Sequence, residues 1–346
     1  DCMRRDLTIN ALYTNISTGE IVDITGKGVD DIKNHIIRTP NDPDTIYDDD
    51  PLRILRCIRF ASRYGWEIEY DTYEGMVRNV SRLEIITKER VKDEFCKMLT
   101  CKHPIMAMEL LRKIGAMHYV IPELEETYSM TQNEYHFGTV WEHTMMVLEG
   151  TKDDNMILRI SALLHDIGKI RVCTEEDGKI HFLKHELKSG EMIDELLRPL
   201  KFSNEIIKEV TFLVRNHMIC KTWGSECEYM KDKKLRRFQY ECKTEERFRN
   251  LMTIIDADNN AYAADKCMPK QVEFILSRTE AMKAEGSAMF GYKLPLTGKE
   301  IMDLKGIKPG SAVKECLDYL MKIAFVNPLR KKEEFVKHLL GYRLQK

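Results

Sequence analysis

Hydrophobic positions along the chain change period once. Up to about Pro40 apolar and polar residues alternate. "LTINALYTNI" reads as a strand, and "TGEIVDITGKG" supplies a Gly turn, a short strand and a second Gly turn. Beyond Pro40 the period becomes helical and strand signals nearly vanish. "DPLRILRCIRFASRYG" begins with an acid before Pro and stops at Gly, the marks of a helix. On its wheel Ile54, Leu55, Ile58 and Ala61 share one face. Arg56, Arg59 and Arg63 share the opposite face, with Arg53 at its edge. "TKERVKDEFCKMLT" and "PIMAMELLRKIG" predict two more helices, and residues 139 to about 265 form a helical region holding most of the histidines. The pattern predicts a mainly α protein with a partial α/β head. Its segments are a head over 1–39, a helical neck over 40–115, a helical body over 116–270 and a helical tail over 271–346.

Composition changes this picture little. The chain has 346 residues, 43% hydrophobic and 32% charged, which suits a soluble protein of two or three packed units. Its 54 basic and 56 acidic side chains give a net charge of −2, so any basic surface is local. The longest apolar runs fall short of a membrane span, and no secretory signal opens the chain. The ten cysteines are scattered singly, with no CxxC pair. They read as reduced thiols of a cytoplasmic protein.

Candidate chemistry clusters in two places. Arg4-Arg5-Asp6 stands at the head of the first strand. Two guanidiniums there can clamp a triphosphate, and Asp6 can orient an Arg or accept from a ribose hydroxyl. The plain alternative is an edge strand with solvated charges. Further on, "RISALLHDIGKI" puts His165 and Asp166 at the end of an apolar helix, which suggests a metal or an active site rather than a core histidine. His143, His185, His217 and Asp258 lie on other predicted helices. Neutral imidazoles with carboxylates suit a transition metal better than Mg2+ alone.

"RRDLTINAL", "DITGKGVDDIKNHIIRT", "DDDPLRILRCIRFASRYGWEI" and "ERVKDEFCKML" occur in that order within the first hundred residues. In these four motifs the sequence resembles the class II tRNA nucleotidyltransferases, the bacterial CCA-adding enzymes and their poly(A) polymerase relatives. The resemblance implies a residual polymerase β-like sheet, a helical neck, a helical body and a helical tail. It implies addition of CCA to the tRNA 3′ end from CTP and ATP, with Mg2+ held by an Asp-x-Asp pair after a Gly-Ser turn. No acidic pair here has that setting, so the chain is expected to start within the head and to lack the segment that holds Mg2+. Asp50 and Arg53 match the pair that reads the incoming base. An Asp accepts from the exocyclic amine of C or A and repels the carbonyl of G or U, and an Arg one turn on donates to the ring nitrogen. The plain alternative makes Asp50 a helix cap before Pro51. Arg90 and Glu94, four apart, are expected to pair on their helix and brace the nucleotide pocket, with Arg56, Arg59 and Arg63 lining it.

The order His143, His165, Asp166, His185, His217, Asp258 resembles the HD phosphohydrolases, whose ligands converge from several helices on one or two divalent metals such as Ni2+, Co2+, Mn2+ or Fe2+. The catalytic set this implies is His165, Asp166 and Lys169, with Lys169 meeting substrate phosphate or else solvated. In the tail, the turn from Gly306 to Gly310 is expected to offer free amides, beside Lys305 and Lys308, to the tRNA acceptor arm. Three functions stay open: CCA addition or poly(A) synthesis, a stand-alone HD phosphohydrolase or cyclic phosphodiesterase, and an RNA-binding module without chemistry.

Overall fold

A computed structural model of the chain describes residues 1–133, 138–151, 154–262 and 266–344. Strands β1 (Leu12–Thr14) and β2 (Ile21–Asp23) form an antiparallel hairpin. Then come α1 (Gly28–Asn34), β3 (Ile36–Ile37), α2 (Pro43–Asp49), α3 (Leu52–Tyr64) and β4 (Glu67–Ile68), with β3 and β4 paired in parallel. Helices α4 (Tyr70–Asn79), α5 (Lys88–Leu99), α6 (Pro104–Lys113), α7 (Val140–Gly150), α8 (Met156–Leu164) and α9 (Lys169–Val172) follow. A second hairpin, β5 (Thr174–Glu176) and β6 (Lys179–His181), precedes α10 (His185–Leu197) and α11 (Asn204–Asn216). The chain ends with α12 (Asp232–Cys242), α13 (Glu245–Asn260), α14 (Gln271–Ala284), α15 (Gly298–Lys305), α16 (Ser311–Val326) and α17 (Lys332–Gly341).

Two compact units result, residues 1–218 with 257–267 and residues 219–256 with 268–346. They cut the chain differently from the four segments read in the sequence. Head, neck and the first part of the body share one unit because their helices interlock: α3 packs on α5 and α6, and α5 on α8.

Helix α3 forms as its pattern requires. Ile54, Leu55, Ile58 and Ala61 are all fully buried, and Gly65 ends the helix in the left-handed region at φ 72°. The first expected strand forms only in part. Thr8–Asn10 is a 3-10 turn, because the Asp6 carboxylate accepts from Leu7 N (3.0 Å) and Asn10 Nδ2 (3.1 Å) and so competes with strand pairing. In the second unit, Ile301, Leu320, Phe335 and Leu339 of α15, α16 and α17 close a core of their own. Gly306 caps α15 there at φ 62°, and its amide and that of Ile307 both donate to Met302 O. Lys305 Nζ donates to Tyr342 O at 2.8 Å. The turn amides expected to be free for phosphate are thus partly consumed by the helix cap.

Candidate metal centre and nucleotide-facing neck

Burial of an apolar helix delivers the first ligands. Leu158, Ile160, Leu163 and Leu164 of α8 are buried, and His165 and Asp166 follow the helix into the interior. The backbone then runs so close to α10 that a Cβ on Gly168 would lie 2.4 Å from Ser189 N, so only glycine fits. The Gly168 amide donates to Ser189 Oγ at 2.8 Å and pins the turn.

Four imidazoles meet here from different elements. His143 lies within α7, His165 follows α8, His185 opens α10 and His217 follows α11. Each turns Nδ1 to a main-chain carbonyl: Ala261 O (3.2 Å), Ala162 O (2.8 Å), Phe182 O (2.9 Å) and Val214 O (2.7 Å) respectively. A carbonyl only accepts, so Nδ1 carries the proton and Nε2 presents a lone pair. Those lone-pair atoms face each other, 3.3 Å apart in His143–His165 and again in His185–His217.

Asp166 stands between the two pairs. Its Oδ2 is 3.2 Å from His165 Nε2 and 3.5 Å from His143 Nε2, and its Oδ1 is 3.1 Å from His185 Nε2 and 3.8 Å from His217 Nε2. Asp258 Oδ1 joins the first pair, 3.2 Å from His143 Nε2. His143, His165 and Asp166 form one set able to hold a metal ion, and Asp166, His185 and His217 form another. Buried Asp166 Oδ1 accepts no hydrogen bond among the described residues. Opposed lone pairs and an unsatisfied buried carboxylate oxygen fit a divalent cation, which would satisfy both.

The electrostatics agree. Burial drives the His217 imidazole down to about 3 and lowers that of His143, so both stay neutral. Burial would also lower His165, but the Asp166 charge outweighs it and raises the ring. Burial alone would raise the Asp166 carboxyl, yet His165 and Lys169 hold it well below the usual carboxylate range.

Lys169 is not solvated. It is 2% exposed, its Nζ lies 2.7 Å from Asp166 Oδ2, and it donates to Gln132 Oε1 at 2.7 Å. Gln132 escaped the sequence reading because it sits in a loop with no periodic signal. Tyr262 escaped it too; its ring meets His143 edge-on at 5.9 Å. His136 lies outside the described residues.

The nucleotide-facing residues are arranged otherwise, as preformed ion pairs. Asp6 binds Arg56, with Oδ2 2.8 Å from Nε and 2.6 Å from a terminal nitrogen, so Asp6 does orient an arginine. Arg4 pairs with Asp49 (3.3 Å) and Arg5 with Asp1 (3.0 Å), so the two do not share a partner. The expected Arg90–Glu94 pair does not form. Arg90 instead reaches Asp50 Oδ2 at 2.7 Å, and Glu94 takes Arg59 (2.7 Å) and Lys97 (3.1 Å). Glu94 is buried and faces α3, whereas Arg90 lies one turn earlier and nearer solvent, so cross-helix partners win over the i,i+4 neighbour. Asp50 also caps α3 through Leu52 N (3.2 Å), and Arg53 donates to Ile46 O at 2.9 Å. Arg63 lies over the Tyr64 ring at 5.6 Å.

Converging imidazoles and carboxylates on a helical scaffold define the HD class, and the family model described as "HD domain" matches residues 133–259. Two others match earlier segments: "Poly A polymerase head domain" over residues 1–38, and "Probable RNA and SrmB- binding site of polymerase A" over residues 65–127. The chain is similar in sequence to CCA-adding tRNA nucleotidyltransferases, and two of its segments match poly(A) polymerase models. It is 28% identical over 330 residues to the A-adding tRNA nucleotidyltransferase of Deinococcus radiodurans, covering 92% of this chain and 73% of that one. It is 27% identical over 358 residues to the CC-adding tRNA nucleotidyltransferase of Thermus thermophilus, covering 99% and 77%. With the multifunctional CCA protein of Neisseria gonorrhoeae it shares 33% identity over 225 residues, 63% of this chain and 53% of that relative. The fold is similar to the Bacillus stearothermophilus CCA-adding enzyme in complex with CTP, at TM-score 0.68 and 22% identity, covering 98% of this chain and 73% of that one. It is also similar to the Thermotoga maritima CCA-adding enzyme complexed with tRNA, at TM-score 0.59 and 18% identity, covering 99% and 73%. Among the described residues no helix is long and apolar enough to cross a membrane.

Proposed function

We propose that the protein adds C and A to the 3′ end of tRNA from CTP and ATP with Mg2+, in the cytoplasm, and that its histidine cluster is a second, metal-dependent phosphohydrolase site. The first part is supported by that similarity and by Asp50. Its carboxylate sits at the start of α3, 28% exposed, held by Arg90 and the Leu52 amide, so its acceptor oxygens are oriented before a base arrives. Arg53 lies beside it, and Arg4, Arg5 and Arg56 supply donors for phosphate. Relatives that add A, CC or the whole CCA are all similar to this chain, so single-nucleotide and two-nucleotide addition are the competing outcomes.

The second part is carried by one observation: Asp166 is shared between two sets of imidazole ligands. His143, His165, Asp166 and Asp258 would hold one divalent ion, and Asp166, His185 and His217 another; Ni2+, Co2+, Mn2+ and Fe2+ are the candidates. When bound, such an ion polarises a phosphoryl oxygen and makes hydroxide available near neutral pH. The protein's own residues do the rest. The carbonyls of Ala261, Ala162, Phe182 and Val214 fix the ring tautomers, and Lys169, held by Gln132, brings an ammonium to the edge of the carboxylate where a phosphate can meet it.

Two assays test this. The purified chain, loaded in turn with each candidate ion, should hydrolyse a 2′,3′-cyclic nucleotide or a generic phosphoester. A form carrying a Gly-Ser turn and an Asp-x-Asp strand ahead of Asp1 should extend tRNA lacking its CCA end, with product length separating CCA from A, CC and poly(A). No hydrolysis with any ion refutes the second part, and no extension refutes the first.

A further inference from the structure

Helix α5 packs on α8, and beside that contact a pocket of about 430 Å³ opens between α5, the start of α8 and the turn from α10 into α11. Its apolar lining is Cys96, Met156, Phe202 and Ile206. Burial pushes the Cys96 thiol up to about 11, so that side chain stays neutral. Three lysines line the same pocket, Lys92, Lys97 and Lys201, against one carboxylate, Asp93. Asp93 lies 3.5 Å from Lys92 Nζ, and Lys97 turns to Glu94 at 3.1 Å. Lys201 is exposed and makes no ion pair among the described residues.

Lys201 also holds an unusual backbone. The chain leaves α10 through a turn closed by two hydrogen bonds, Phe202 N to Leu197 O (3.2 Å) and Lys201 N to Arg198 O (2.9 Å), the pattern of a Schellman motif. Lys201 takes the left-handed position of that turn at φ 62°, where glycine rests without strain and a side chain does not. A strained, unpaired lysine thus stands beside an apolar pocket, in place of the residue that would relax the turn. Ser203, two residues on, caps α11 through Ile206 N at 3.3 Å and keeps a hydroxyl hydrogen to donate.

An apolar cavity flanked by cations fits an organic anion with a hydrocarbon body. A nucleotide would set the ring nitrogens and amino groups of its base against sulfur and hydrocarbon and leave them unpaired. A small anion such as acetate would leave the apolar lining uncovered. Phe202 is itself buried and offers no ring face for stacking, so the adaptable Met156, Ile206 and Cys96 side chains suit a flexible chain rather than an aromatic body. We propose that this pocket binds an alkyl carboxylate, its chain against Cys96, Met156, Phe202 and Ile206 and its carboxylate on Lys201 and the Ser203 hydroxyl, with Lys92 and Lys97 adding positive potential. Met156 opens α8 and Ile206 lies in the first turn of α11, the helices that lead to His165 and His217. An occupant therefore touches the scaffold of the histidine cluster and none of its ligand residues.

Isothermal titration calorimetry of the whole chain with decanoate, well below its micellar concentration, tests the proposal beside decanol and adenosine monophosphate. Decanoate should bind at a single site, about tenfold tighter than decanol, and adenosine monophosphate should not bind. K201G should weaken decanoate about tenfold, leave decanol unchanged, and hold or raise the melting temperature, because glycine relaxes the turn. I206E sets an acid against the carboxylate and should abolish decanoate binding. That position is the third of α11, where an acid completes a capping box with Ser203, so the melting curve should match that of the unsubstituted chain. Equal binding of decanoate and decanol, or unchanged decanoate binding in K201G, removes the lysine from the site and overturns the proposal. Decanoate binding that survives I206E lies elsewhere and overturns it as well. Adenosine monophosphate that binds tighter than decanoate, or no saturable binding of decanoate, overturns the ligand class.

Discussion

In the histidine cluster, four imidazoles and two carboxylates lie buried, and among the described residues an oxygen of the central carboxylate accepts no hydrogen bond. In the neck, most charges lie at or near the surface, the buried Glu94–Arg59 pair excepted, and most have found partners: Arg56 with Asp6, Arg90 with Asp50, Arg82 with Asp48, Arg78 with Asp44. Both regions belong to one compact unit. The difference teaches what each is prepared for. A rigid set of opposed imidazole nitrogens with an unsatisfied oxygen is short of a cation at each ligand set, and binding completes it. A mesh of paired ions is complete as it stands, so a nucleotide entering it must exchange one partner for another. The first arrangement favours a resident metal, the second a ligand that comes and goes.

The largest expected effect strikes the first region. Asp166→Ala removes the carboxylate common to both ligand sets, and hydrolysis should fall on the order of 100-fold or more, with bound metal lost as well. Metal content by mass spectrometry and hydrolysis of a cyclic nucleotide check it. Retained metal with retained hydrolysis would show that the two sets do not depend on Asp166.

Next comes the buried pair of the neck. Glu94 is 3% exposed and Arg59 is largely covered, so Glu94→Ala leaves a guanidinium desolvated without its partner, at a cost of about 3 kcal/mol. Urea unfolding should show the loss, and Arg59→Met with Glu94→Met together should recover most of it. Arg90→Ala, which breaks a more exposed pair, should cost about 1 kcal/mol or less. If the two single variants cost the same, burial does not distinguish the pairs and the contrast within the neck fails.

Asp50→Ala tests whether the neck exchanges partners on binding. In a form competent for transfer, it should slow use of CTP and ATP and relax exclusion of GTP and UTP by about 1–3 kcal/mol. Unchanged rates and selectivity would leave Asp50 as a cap of α3 alone.

How much of this was legible in sequence depends on the kind of signal. α3 was readable because its apolar face and its arginines fall on opposite sides at helical spacing, and burial follows that pattern residue by residue. The six ligand-type residues were readable as residue types at helix positions. Their convergence was expected only through the resemblance to HD phosphohydrolases, because by itself it depends on how α7, α8, α10, α11 and α13 pack. Pairings across helices were invisible for the same reason. Arg90 and Glu94 look like partners by spacing, yet each prefers a residue of the α2–α3 region that packing brings nearer. The Thr8–Asn10 turn was misjudged because alternation carries no information on the Asp6 side chain, whose hydrogen bonds decide the backbone there.

The smallest effect concerns acid. Asp44 accepts from Arg78 (3.0 Å) and from Asn79 (2.5 Å). The Arg78 hydrogen bond comes first among the causes that hold its carboxyl below the ordinary value of 3.8, although the group is about half exposed. A carboxylate lowered in the folded state binds its proton more readily once unfolded. Its contribution to stability is therefore complete above about pH 4 and is lost as pH falls through the lowered folded value. Solvent screening limits it to a fraction of 1 kcal/mol, about what an exposed pair supplies. Asp44→Asn should remove that share of the acid dependence and leave unfolding near pH 7 weaker by a similarly small amount. The test also bears on the contrast between the two regions. Asp44 is one of several exposed pairs, so its removal should change neither metal content nor hydrolysis at the histidine cluster. A loss of bound metal in Asp44→Asn would mean that the neck pairs and the cluster are coupled, and that the two regions are not the independent arrangements their geometry describes.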